Sequence, residues 1–251
     1  MAYQITNQAT LQSAVQSIAQ MVGYPVPANP ASSTDPKIQQ MLAACNQADR
    51  ELFNAFEWSE LITEGLIDVF YDTADQKEKG FPLPVDFFRF VDQTQWNGSM
   101  RLPAFGPVTP QGWMAYLVMP ITSIFTLTWQ MREGKVWFLN PPAPPGNPFR
   151  FMYYSNALVI DADDPTLFKN IAVKNGDTFR LDGSLVTMLA RCKWLAWNGF
   201  DTSAAQREYN TQYDARVGAA KSAPILSAVR YGRLHLINAA NAPATGYGGN
   251  S

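Results

Sequence analysis

Charge is scarce in this chain. Only 16% of its 251 residues are Asp, Glu, Lys or Arg, whereas a solvated globular domain usually carries about a quarter. Residues 1–34 hold no charged side chain, and residues 222–251 hold no acid. Such a shortfall suggests that much of the polar-neutral surface faces other protein rather than water. Histidine is scarcer still, with His235 the only one. A Ser-His-Asp or Cys-His relay would need it as base, in a C-terminal stretch that offers no core to orient it. One histidine and two isolated cysteines, Cys45 and Cys192, cannot make a four-ligand zinc site. Both cysteines sit in helical patterns and read as small buried hydrophobes of a protein made in a reducing cytoplasm.

Other absences exclude further classes. The formal net charge is −2, without the basic excess of a protein that grips nucleic acid. No cationic amphipathic helix points to a membrane surface. The start MAYQITNQATLQSAVQ lacks the charged head and continuous apolar core of a signal peptide. One long uncharged run, Leu102 to Met131, is broken by Pro103, Pro107, Pro110 and Pro120 with Gly106 and Gly112, so it cannot form a spanning helix. Glycines are scattered through turns rather than gathered in a phosphate-binding loop. Asp161, Asp163 and Asp164 lack the central Gly and closing Glu of a calcium loop and read as a polar turn. Glu57, Glu60 and Glu64 lie where a helix gives way to a strand, with no spacing that pairs them for glycoside hydrolysis. Trp58, Trp113, Trp129 and Trp137 alternate with other apolar residues and read as core or subunit contact before a sugar platform. Neither a cofactor nor an enzymatic activity is expected.

What the chain has is apolar mass, 47% hydrophobic with 13% aromatic, enough for a substantial core. Leu11, Val15, Ile18 and Val22 make a helical stripe that ends at Gly23. After a Pro-rich loop, Thr34-Asp35-Pro36 predicts a helix start, with Thr34 as cap and the acid and Pro in the first turn. Ile38, Met41, Leu42, Cys45, Leu52, Phe53 and Phe56 carry that helix forward. Beyond Trp58 the period shortens to two: Ile67, Val69 and Tyr71, then Phe125, Leu127 and Trp129, then Phe149, Phe151 and Tyr153. Glu133-Gly134 predicts a hairpin turn into KVWFLN. Residues 60 to 160 therefore read as mainly β. Helix returns behind a cap at Asp182, with Leu185, Met188, Leu189, Cys192, Leu195 and Ala196 as its stripe and Gly199 as its end. Ser203 with Gln206 offers a capping box for a last, polar helix. The expected class is α+β: a helical bundle with an inserted, mainly antiparallel β domain and an extended C-terminal arm. The expected boundaries are 1–59, 60–180, 181–221 and 222–251.

In that order the chain resembles a known family, the head-to-tail adaptors of tailed, especially short-tailed, bacteriophages. The resemblance rests on DPKIQQMLAACNQADRELFNAFEW, ITEGLIDVFY, FPLPVDFFRFVDQTQW with Leu83, Pro84 and Asp86, GKVWFLNPPAPPG, FMYYSNALVI, DTFRLDG and the paired helices from Leu185 to Ala220. It implies a virion protein assembled in the host cytoplasm: a ring subunit, twelve-fold in such adaptors, seated on the portal and joined below to a nozzle or tube protein. Double-stranded DNA would pass through transiently, and no membrane partner is implied. The portal-docking segment would be the arm, with Ile225, Leu226, Val229, Leu234, Leu236 and Ile237 as apolar anchors and Arg230, Tyr231, Arg233 and His235 between them. A tubular tail protein, a virion-associated glycan hydrolase and a carbohydrate-binding module are the competing readings.

Overall fold

The structure is a computed structural model that describes residues 8–72, 78–118, 127–142 and 146–221. It is mixed α+β, with five helices and antiparallel sheets among the described residues. Contacts divide the chain into two units, Met1–Gln212 and Tyr213–Ser251. Within the second unit, Tyr213–Lys221 is helical.

The first unit opens with α1 (Leu11–Met21), capped by Thr10, whose hydroxyl accepts the Ser13 N–H at 3.1 Å. Gly23, at φ +70°, turns the chain out of it. Next comes α2 (Pro36–Ala55). Its cap is Asp35 rather than the expected Thr34, since the Asp35 carboxylate accepts the Lys37 N–H at 2.8 Å and so places Pro36 at the first helical position. The strands β1 (Ile62–Val69), β2 (Glu78–Pro82), β3 (Phe87–Phe90), β4 (Trp96–Asn97) and β5 (Leu102–Pro103) follow. Tyr71 falls outside β1, and its N–H goes to the Pro142 carbonyl instead. A helix the sequence reading missed, α3 (Pro110–Val118), interrupts the β region. Its start signal was present: Thr109 accepts the Gly112 N–H at 3.2 Å, just before Pro110.

Three longer strands complete the sheets: β6 (Thr128–Arg132), β7 (Lys135–Leu139) and β8 (Asn147–Ser155). The β6–β7 hairpin turns at Glu133 and Gly134, both with positive φ of 55° and 70°, the type I′ geometry the dipeptide predicts. Phe125, expected in the same strand as Trp129, lies outside the described residues. One sheet runs β1-β8-β4-β5, with β3 also on β8; another runs β2-β7-β6. Inward-facing residues of both sheets meet in one apolar core of Ile67, Val69, Phe81, Trp129, Val136, Phe138, Phe149 and Phe151. Their rings pack mainly edge to face, as in Phe138 against Phe149 at 4.9 Å.

Short ladders β9 (Val159–Ile160), β10 (Phe168–Lys169) and β11 (Thr178–Phe179) form a third sheet in the order β10-β9-β11. They lead into α4 (Gly183–Trp197), which packs against both α1 and α2. Asp182 caps α4 as expected, accepting the Ser184 N–H at 2.9 Å. The buried face is wider than the expected stripe. Val186, Ala190 and Trp194 are buried with Leu185, Leu189 and Cys192, while Met188 and Leu195 are half-buried and Ala196 is exposed. A helix with partners on two sides loses its single-stripe pattern. The last helix, α5 (Ser203–Lys221), is mostly exposed but buries Ala205 and Tyr209. The expected Ser203/Gln206 box does not form. Asp201 accepts the Ser203 N–H at 2.9 Å, and Gln206 turns to Asn210.

One buried acid stands out on α2. Asp49 is 1% exposed, and its Oδ1 has no hydrogen-bond partner among the described residues. Burial alone pushes its carboxyl up to about 8, so it is a neutral acid at neutral pH. The folded state therefore holds a proton that the unfolded chain releases near pH 4, and stability falls as pH rises between the two values. Asp49→Asn, which keeps the shape without the titration, is expected to match the wild type near pH 4. Its melting temperature should pull ahead progressively toward pH 8; a constant gap across that range refutes the neutral acid.

Candidate functional site

Chemistry-bearing side chains concentrate around the run Asp177–Gly183, which connects the short ladders to α4. Asp177 is fully buried. Its Oδ1 accepts Lys169 Nζ at 2.8 Å and the Ala162 N–H at 3.1 Å, and its Oδ2 accepts the N–H groups of Val173 and Lys174 at 2.7 and 2.8 Å. Burial favours its neutral form, but the ammonium and three backbone donors outweigh it and hold the carboxyl below its ordinary value. The loop of residues 161–176 is thus folded around one carboxylate. Its backbone is also clasped by α2, where Asn46 donates to the Ala172 carbonyl at 3.0 Å and accepts the Ala172 N–H at 2.9 Å.

Three residues on, Arg180 joins separate segments. Its guanidinium donates to the Ala157 carbonyl at 2.8 Å, the Glu60 carbonyl at 2.9 Å and Ser155 Oγ at 3.3 Å, and lies 4.7 Å over the Phe168 ring. Asp86, from the Leu-Pro-x-Asp element, accepts the hydroxyls of Tyr153 at 2.9 Å and Ser155 at 2.6 Å. Burial first, and then the Asp86 bond, push the Tyr153 phenol up to about 12. At the end of the run, Gly183 is a site of close approach. A Cβ there would lie 2.3 Å from the Ala9 Cβ and 2.5 Å from its backbone nitrogen, so only glycine lets the lead of α1 cross α4.

The polar groups singled out in the sequence are spread apart. Asp161 pairs with Lys169 and Lys174, Asp163 with Lys174, and Asp164 takes the Thr166 N–H and hydroxyl. The Lys169 and Lys174 contacts hold the Asp161 carboxyl far below its ordinary value. No group of three or more His, Cys, Asp or Glu could hold a metal among the described residues. Glu57 meets Arg89 at 2.7 Å and Glu64 meets Arg150 at 2.9 Å, while Glu60 contributes only its backbone carbonyl to Arg180. Trp58, Trp113 and Trp129 are buried and Trp137 half-buried, with no exposed indole among them for sugar stacking. Burial pushes the Cys45 thiol up to about 12 and raises Cys192, which keeps both protonated. The ten arm residues, Ile225, Leu226, Val229, Arg230, Tyr231, Arg233, Leu234, His235, Leu236 and Ile237, lie outside the described residues.

Sequence reasoning did not identify two exposed apolar areas on the first unit. The Asp177-held loop leaves Leu167 57% and Val173 66% exposed, with Phe168 and Ile171 about half exposed beside them. Elsewhere, Met21, Tyr24, Lys37, Arg191, Trp194 and Phe200 line a groove of about 350 Å³, in which the Phe200 ring stacks on Trp194 at 6.1 Å. The loop has no period to read, because its conformation comes from a carboxylate that follows it in sequence. Lys169 and Lys174 placed among Asp161, Asp163 and Asp177 were the available signal.

Removing the Arg180 fork takes a charged donor from the buried Ala157 carbonyl and from the Glu60 carbonyl. Arg180→Met is expected to lower unfolding free energy by about 3 kcal/mol, measured by urea denaturation. Arg180→Lys should recover only part of that, since an ammonium cannot span three fixed acceptors. Equal stability of Arg180→Met and wild type refutes the clamp.

Neither a protein-family model nor a curated protein sequence matches the chain.

Proposed function

We propose that the chain is a structural ring subunit of a tailed-bacteriophage neck, a head-to-tail adaptor that docks on the portal and links capsid to tail. In this reading the helices form the ring body as a bundle, the β region is inserted between its helical halves, and residues 222–251 extend as the arm that reaches the portal. The protein is then a virion component, made in the host cytoplasm, that binds copies of itself, the portal above and a nozzle or tube protein below. DNA passes through the ring without being held.

The observation that carries the reading is the order of the motifs, from DPKIQQMLAACNQADRELFNAFEW through FPLPVDFFRF and DTFRLDG to the helix pair ending at Ala220. Two features favour it. Aspartates and an arginine from those motifs (Asp86, Asp177 and Arg180) tie distant segments together, as an architectural role requires. The first unit also leaves apolar side chains exposed on a well-fastened loop, a surface that suits protein contact. Buried Trp113 and Trp129, each 1% exposed, count against a sugar-binding platform.

The test is co-sedimentation with purified portal rings of the same phage, comparing the full chain with one ending at Ala220. The expected result is saturable binding of many copies per portal, weakened at least about tenfold, or 1.4 kcal/mol, by the truncation. A full chain that ignores the portal overturns the reading and redirects the search to a tube partner lower in the tail.

A further inference from the structure

A sheet edge is a row of unpaired backbone groups, and folded proteins ordinarily blunt theirs. Most edges in this chain are blunted by identifiable means. The outer side of β6 is covered by backbone: Phe105 donates to the Leu127 carbonyl and accepts the Trp129 N–H, and Val108 donates to the Trp129 carbonyl. β2 carries Lys79 and ends at Pro82, and β3 is bulged between Phe87 and Arg89. β5, β10 and β11 are two residues each. β1 is the exception. It runs eight residues without Pro, Lys or bulge, keeps an unbroken register with β8 alone, and has no other described element packed closely along it.

The register identifies the free groups. Glu64 stands opposite Met152, and Asp68 opposite Pro148. Met152 turns away from β1: its N–H goes to Thr94 Oγ1 at 3.0 Å, and its carbonyl accepts the Val91 N–H at 2.9 Å. The Pro148 carbonyl likewise accepts the Gly98 N–H at 2.7 Å. Hydrogen-bonded and non-bonded pairs alternate in an antiparallel ladder, so Glu64, Leu66 and Asp68 all belong to non-bonded pairs. Their N–H and carbonyl groups therefore point to the open edge, where no described residue meets them. The same three side chains are exposed, Leu66 at 55%. The edge thus offers an acid–leucine–acid row beside unpaired backbone, along about 14 Å of strand.

Charge selects the occupant. A second copy of β1, in the antiparallel register that pairs all three free residues, sets Glu64 opposite Asp68 twice. Like charges directly opposite are destabilising. A strand with Lys or Arg at those two positions meets opposite charge instead. Glu64 gives only Oε1 to Arg150, and Asp68 has no ion pair among the described residues.

We propose that β1 accepts an added strand from a different protein: an extended segment with Lys or Arg two residues to either side of an aliphatic one. Main-chain bonds supply the affinity, and Glu64 and Asp68 set the sequence preference. The site is complete within the first unit and stands whether or not the chain is a portal adaptor.

The probe is a fluorescein-labelled peptide, TTKTLTKTT, titrated by fluorescence polarisation with the full-length protein up to about 1 mM, a range that covers weak binding. Saturable binding is expected, at least about tenfold tighter than that of TTETLTETT. N-methylation of the peptide at Leu and both Lys keeps every charge but removes the N–H donors, and should weaken binding at least about tenfold. Glu64→Lys with Asp68→Lys alters two exposed positions, and the variant should prefer the glutamate peptide. Hydrogen exchange on the wild type reads the edge directly: the Glu64, Leu66 and Asp68 amides should slow when the lysine peptide is added. No binding of the lysine peptide, or equal binding of its N-methylated form, overturns the proposal. Amides already protected before the peptide is added also overturn it, since the edge is then covered by a copy or by another segment. The wild-type measurements decide even where the double variant fails to fold.

Discussion

Arg180 donates to carbonyls from two separate segments of the chain. The chain approaches from the end of α2 through Glu60, leaves β8 through Ser155 and Ala157, and returns through β11 into α4, and all three passages converge on one guanidinium. A planar fork can serve divergent acceptors at once, which a point charge cannot. Its neighbours extend the effect along the chain. Asp177 folds the preceding loop, Phe179 and Leu181 are buried in the core, Asp182 caps α4, and Gly183 admits Ala9. Seven consecutive residues thus fix the ladder sheet, the start of α4 and the lead into α1. Shifting any of them would disturb elements far apart in sequence.

The same region shows how a charge-poor chain uses its charges. Asp177 and Lys169 are spent inside the fold, each with several partners, and buried charges are tolerated only when satisfied in this way. Asp49 is the contrast, an acid with an unpartnered oxygen that stays neutral rather than ionise. On the sheets the ion pairs Arg89–Glu57 and Arg150–Glu64 are exposed and contribute little to stability. Stability in the β region comes instead from the aromatic core of Phe81, Trp129, Phe138, Phe149 and Phe151.

Local signals were legible wherever one element had one buried face. The α1 stripe, the α2 start within one residue, the Glu133-Gly134 turn, the β8 alternation and the Asp182 cap all follow from periods and caps acting over a few residues. Legibility failed where tertiary contact set the pattern. Trp194 is buried because α4 has two partners, and α3 lay hidden in a run judged by its prolines although Thr109-Pro110 announced it. The candidate surface was less legible still. Nothing in TLFKNIAV says that Leu167 and Val173 face water, because that depends on Asp177 and Asn46 holding the backbone from outside the segment.

Exposed leucine, isoleucine and valine on a slack loop would ordinarily collapse onto the nearest apolar surface. Here the backbone is committed elsewhere. Val173 and Lys174 give their N–H groups to Asp177, Ala172 is clasped at both its N–H and its carbonyl by Asn46, and Phe168 lies under Arg180. Fixing a loop with a buried carboxylate costs desolvation, which its donors offset. The result leaves Leu167 and Val173 unable to turn inward. Polar bonds beneath the surface therefore determine which apolar groups lie on it.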